Sequence, residues 1–144
     1  MKFWQSFSKS SIKRQFFFGL FLFAVMIPIA VLDSNTQVKV SFYDTSVYIT
    51  SDKYSMDVPY DIIESASLET LPDPGERVEN SYDNDVLRAG VWENDTWGNY
   101  HIAADLDADN CVVLRLDDGR IFVFSSKNET KTEKLYNELL TYLD

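Results

Sequence analysis

A chain of 144 residues with one cysteine and one histidine has no internal disulfide and too few soft ligands for a zinc site. Its charges are segregated: residues 1–32 hold Lys2, Lys9, Lys13 and Arg14 and no acid, so the rest carries nine basic and 23 acidic groups, a net charge of −14. A body this acidic repels polyanions, which argues against nucleic acid and phosphoinositide-type headgroups as partners, and the length suits one domain plus an appendage.

The first predicted element is apolar. Residues 16–32 read "FFFGLFLFAVMIPIAVL" without a charge. As a helix this run spans about 26 Å at 1.5 Å per residue, close to the hydrocarbon thickness of a bilayer. Lys9, Lys13 and Arg14 precede it and Asp33 follows it. By the positive-inside rule, residues 1–15 form a cytoplasmic basic terminus, 16–32 a transmembrane helix, and 33–144 a domain outside the cell membrane. A cleaved signal peptide is the rival reading, although no clean Ala-x-Ala site follows the run. A buried helix of a soluble domain is the lesser alternative for a run this apolar on every side of a helix.

From Gln37 the hydrophobic period changes to two. Val38, Val40 and Phe42 alternate with polar residues, as do Tyr54, Met56 and Val58, and residues 47–50 form a strand between them. "IIESASLETL" at 62–71 suits a strand through Ile62, Ala66 and Leu68. "PDPGERVENSYDND" at 72–85 is rich in turn formers and reads as a surface loop. Strands are then expected over 86–92, 98–106, 111–116 and 120–125, with Asp118-Gly119 as a hairpin turn. Thr132, Leu135, Leu139 and Leu143 recur at helical spacing, so the chain closes on an amphipathic helix. Asn128 is its N-cap, with Thr130 and Glu133 as a competing capping box. Seven or eight strands in meander order with one terminal helix describe a small barrel or sandwich.

The order of several words resembles a bacterial pleckstrin-homology-like (PH-like) family. These words are "VPYDIIESASLETLP" at 58–72, Gly75-x-Arg77, "LRAGVW" at 87–92, Trp97-Gly98, "CVVLRLDDGRIFVFSSKN" at 111–128 and the Glu/Leu/Tyr helix. The resemblance covers roughly residues 38–143. It implies a mainly β fold, a bent antiparallel barrel capped by the helix, and no catalysis. The chain departs from the family in the loop after Arg77, where "VENSYDND" replaces a glycine-richer segment, and at Val91-Trp92.

Four groups of residues invite a functional reading. Asp105, Asp107 and Asp109 alternate like the opening of a calcium loop, but Asn110 stands where that loop needs Gly and Leu116 where it needs Glu. A solvated hairpin tip is the plainer role, with Ala104 opposite Cys111. That register puts His101 and Cys111 on opposite faces, too far apart for a nucleophile–base pair. Arg77, Tyr82, Trp92 and Trp97 are the candidates for a partner-binding loop, with Tyr100 nearby; barrel-end packing is the alternative for the aromatics. Asn94-x-Thr96 and Asn128-x-Thr130 match the glycosylation pattern, which the resemblance to a bacterial family implies is a coincidence. The expectation is a single-pass, non-enzymatic interaction module of the bacterial envelope that binds a protein or peptide and holds no cofactor. A small-ligand or weak calcium-binding module is the alternative.

Overall fold

The structure, a computed structural model, describes residues 37–144. The basic terminus at 1–15 and the transmembrane helix expected at 16–32 lie outside the described residues. Among the described residues no helix is long and apolar enough to cross a membrane.

Among the described residues nine strands make two sheets, accompanied by one α-helix. Strands β1 (Lys39–Phe42), β2 (Ser46–Thr50) and β3 (Ser55–Pro59) form a three-stranded antiparallel meander. Its alternation is the one visible in the sequence: Val47, Ile49, Met56 and Val58 are buried and their neighbours face outward. A 3-10 turn at Tyr60–Ile62 leads into the second sheet.

That second sheet contains β4 (Ile63–Thr70), β5 (Glu76–Asp83), β6 (Leu87–Asn94), β7 (Gly98–Asp105), β8 (Asn110–Leu116) and β9 (Ile121–Ser125). Their spatial order is β4-β8-β9-β7-β6-β5. Two expectations change here. The sheet is open and does not close into a barrel, and it is not antiparallel throughout, because β7 and β9 run parallel. Strand β9 inserts between β7 and β8, so these two are not a hairpin. Residues 106–109 instead carry the chain past the width of one strand.

The physical reason lies in the burial. Residues Ile102 to Asp105, Cys111 to Leu114 and Phe122 to Ser125 are buried without alternation. Strands covered on both faces belong in the middle of a sheet. The Asp117-Asp118-Gly119 turn joins β8 to β9 as expected. Gly119 has φ 88°, a conformation natural for glycine alone, and its N–H donates to the Leu116 carbonyl at 3.0 Å.

The polar stretch at 72–85 is also corrected, since residues 76–83 form β5. It escapes the hydrophobic pattern because it is an edge strand whose first five residues are exposed on both faces. Its register with β6 shifts twice, between Arg77 and Glu79 and between Glu79 and Tyr82, and Asn80 has φ 50°. Bulges and charges of this kind discourage further strand pairing at an edge.

The closing helix, α1 (Glu129–Leu143), starts where expected: the Asn128 carboxamide oxygen accepts from the Lys131 N–H at 2.9 Å. Thr132, Leu135 and Leu139 are its buried face. Leu135 and Leu139 join Val47, Ile49 and Val58 of the small sheet and Leu87, Ala89, Ala103, Val112, Leu114, Phe122 and Phe124 of the large one in a single core. Trp92, Tyr100, Ile102, Ala104, Cys111, Val113 and Val123 are buried on the opposite face of the large sheet. Each fully buried large apolar side chain contributes roughly 1.5–3 kcal/mol relative to exposure.

Candidate functional site

The aspartates of "LDADN" part company. Asp107 and Asp109 are exposed, whereas Asp105 is 1% exposed. One oxygen of the Asp105 carboxylate, Oδ2, accepts from the backbone N–H groups of Gln37 at 3.0 Å, Val38 at 3.4 Å and Lys127 at 2.9 Å. Its own carbonyl accepts from the Ser125 hydroxyl, and the Ser126 hydroxyl donates to the Val38 carbonyl. The residue therefore ties together the chain entering β1, the end of β7 and the corner between β9 and α1. A carboxylate engaged in this way serves the backbone, and among the described residues no three His, Cys, Asp or Glu side chains converge as metal ligands. Its other oxygen, Oδ1, is buried without a partner, and burial sets Asp105 apart from the exposed Asp107 and Asp109.

His101 and Cys111 do lie on opposite faces of the sheet, but not through the hairpin register expected for them. Cys111 pairs with Glu69 of β4, and Ala104 pairs with Arg88 of β6 and Ser125 of β9. Burial pushes the Cys111 thiol up to about 12, which leaves it protonated at neutral pH. His101 turns instead toward the small sheet. Its Nδ1 is 2.7 Å from the Tyr54 hydroxyl, and its ring stacks on Phe122 with centroids 4.5 Å apart. Burial, and then the Arg120 guanidinium, hold its pKa below the ordinary value, while Glu79 opposes them. An imidazole hydrogen-bonded to a phenol links the two sheets. Burial and Glu79 raise the Tyr54 hydroxyl, so this phenol has no tendency to ionise.

The four residues expected to form one binding loop do not share a surface. Trp92 is 3% exposed and belongs to the core of the opposite face, its indole N–H donating to the Ala89 carbonyl. Arg77 and Arg88 lie over its ring, 5.5 and 5.6 Å from the centroid. Trp97 packs edge-on against Tyr100, whose hydroxyl donates to the Pro74 carbonyl at 2.7 Å. Tyr82 faces the other way, toward the main core, under the Lys53 ammonium. The aromatics are therefore mostly packing, and Arg77 is the exposed member.

The described residues also form two acid-lined depressions. The first, about 560 Å³, lies between the turn before β5 and the β6–β7 turn, with Asp73, Glu76, Glu93 and Asp95 on its walls. Asp73 is engaged there, accepting from the Gly75 N–H at 2.9 Å. The second, about 620 Å³, opens where the β1–β2 turn and β3 meet the end of α1. Asp44, Asp57 and Asp61 line it together with Tyr60, Tyr142 and Leu143. Tyr142 stacks with Phe42 and with Tyr60, each at 5.2 Å between centroids and within 22° of parallel. The Tyr60 hydroxyl donates to the Tyr43 carbonyl at 2.8 Å, and Tyr43 is 56% exposed. Burial pushes the Tyr60 hydroxyl up to about 12, reinforced by Tyr142, Asp44 and Glu138. Little in the sequence points to this groove. Phe42, Tyr60 and Tyr142 come from three elements, and no spacing rule joins them.

No family model, curated protein or solved structure matches the chain.

Proposed function

We propose that the chain is a membrane-anchored, non-catalytic interaction module of the bacterial envelope. In this reading residues 16–32 anchor a PH-like domain, 33–144, outside the membrane, where it binds a protein partner. The sequence resemblance and the helix packed into the main core favour the PH-like assignment; the parallel β7–β9 pair is a departure from it.

One observation carries the interaction reading. Two depressions among the described residues are lined by carboxylates, and the three ion pairs there, Arg88–Asp83, Arg115–Glu69 and Arg120–Asp118, use none of these acids. Clustered like charge destabilises a fold by self-repulsion, and a cationic partner relieves it.

The test is in-cell crosslinking of the full-length chain, followed by capture and identification of what is attached. One envelope protein with a basic outer segment should be enriched over a control anchor carrying an unrelated domain. Enrichment of nothing over that control overturns the reading. A reporter fused after Asp144 that works only in the cytoplasm overturns the orientation.

A further inference from the structure

We propose that Asp105 and Lys127 form a loaded catch, through which the chain entering at Gln37 and the first turn of α1 open and close as one unit. A pull on either side of the catch is thereby passed to the other. The catch belongs to the domain itself and is independent of which partner the domain binds.

The joint is narrow. Asp105 Oδ2 alone holds the N–H groups of Gln37, Val38 and Lys127, at 3.0, 3.4 and 2.9 Å. Gln37 and Val38 precede β1, whereas Lys127 lies between β9 and α1. The Ser126 hydroxyl crosses the same joint and donates to the Val38 carbonyl. On the helix side, the Thr132 hydroxyl accepts from the Ser126 N–H at 3.1 Å and donates to the Asn128 carbonyl at 2.9 Å. The corner therefore reaches into the first turn of α1.

The closed joint stores free energy in two places. Lys127 has φ 65°, a left-handed conformation that few residues other than glycine adopt. Such strain persists only where neighbouring contacts over-determine it, and here the Lys127 N–H is fixed by Asp105. The second place is Asp105, which is 1% exposed and belongs to none of the ion pairs among the described residues. Its Oδ1 is buried without a hydrogen-bond partner. Opening the corner returns Lys127 to an ordinary backbone conformation and exposes the carboxylate to water. Both changes favour opening, so the corner opens more readily than the centre of the large sheet, where Val123 is fully buried.

Leu135 and Leu139 keep the rest of α1 seated in the main core. The moving unit is thus residues 37–38 together with 126–132. Coupling of this kind is reciprocal: holding Gln37 in place fastens the first turn of α1, and fastening that turn steadies Gln37.

Native-state amide hydrogen exchange of the full-length chain in an uncharged detergent, read by NMR at rising urea below the unfolding transition, tests the catch. The amides of Gln37, Val38, Ser126 and Lys127 should share one opening with a shallow urea dependence, while Val123 follows the steep dependence of global unfolding. Asp105→Asn, which keeps an acceptor without the charge, should speed exchange at all four about tenfold. Lys127→Gly relieves the left-handed strain without touching Gln37 or Val38. It should slow exchange at those two roughly two- to fivefold, the left-handed penalty less the added freedom of glycine in the open corner. If Gln37 and Val38 stay unchanged in Lys127→Gly while Ser126 responds, the two sides open separately and the proposal is overturned. Exchange of all four amides along the steep line of Val123 overturns it as well, because the corner then has no opening of its own.

Discussion

Replacing Asp105 by alanine is expected to cost the domain about 2–4 kcal/mol. The carboxylate takes two short hydrogen bonds, from Gln37 and Lys127, and a longer one from Val38. Bonds to a charged acceptor contribute roughly 1.5–3 kcal/mol each, so the two short ones sum to about 3–6. Two effects lower the net figure. Removing the residue also removes the cost of keeping a charge buried, and the Gln37 and Lys127 N–H groups, only part-buried, regain water when freed. The Val38 N–H is buried and does not, which keeps the loss from vanishing. Against a typical total of about 5–15 kcal/mol this is a large fraction. Urea unfolding followed by tryptophan fluorescence measures it, with the slope unchanged and the midpoint moved. Asp107→Ala and Asp109→Ala, at exposed positions, should stay within about 0.5 kcal/mol of wild type. A loss below about 1 kcal/mol for Asp105→Ala, or an equal loss at Asp107, refutes the reasoning. Millimolar calcium should shift none of these midpoints.

Three further outcomes are expected. Gly90→Ala should destabilise by about 3 kcal/mol or more in the same assay, because a Cβ there meets the Asn80 carbonyl oxygen at 2.2 Å and φ is 98°. Because folding lowers the His101 pKa, the unfolded chain binds the extra proton first as pH falls; His101 should therefore reduce stability progressively below pH ~6.5, and His101→Phe should remove that part of the pH profile while the carboxylate part persists. Cys111 should resist a thiol-specific disulfide reagent at pH 8 in the folded chain and react within the mixing time in urea; rapid reaction in the folded state contradicts its burial.

Much of the strand content was legible because the small sheet is wet on one side. Val47, Ile49, Met56 and Val58 alternate with exposed neighbours, and alternation is what a sequence displays best. The α1 boundary was equally readable, because Asn128 caps it through a local bond. Strand β5 was not, since an edge exposed on both faces has no apolar period and its Asn80 and Ser81 resemble turn chemistry. The sheet order was hidden for a different reason. Periodicity reports which face a residue occupies, and it is silent about which strand lies beside which. The unbroken burial of Ile102 to Asp105 and of Phe122 to Ser125 was a usable sign that β7 and β9 are central. As for the candidate site, Asp105 looked like its exposed neighbours, and only distant backbone donors reveal its different role.

The position of β9 also bears on how the domain is made. Synthesis proceeds from the N-terminus, so β9 emerges after every strand it separates and joins. Until residues 121–125 are available, β7 and β8 each present an unpaired row of amides with apolar side chains on both faces. A chain arrested at that stage exposes its most adhesive edges, the state in which chains most readily associate with one another. Completion of the large sheet is thus a late, single event, set by a strand of five residues at its centre.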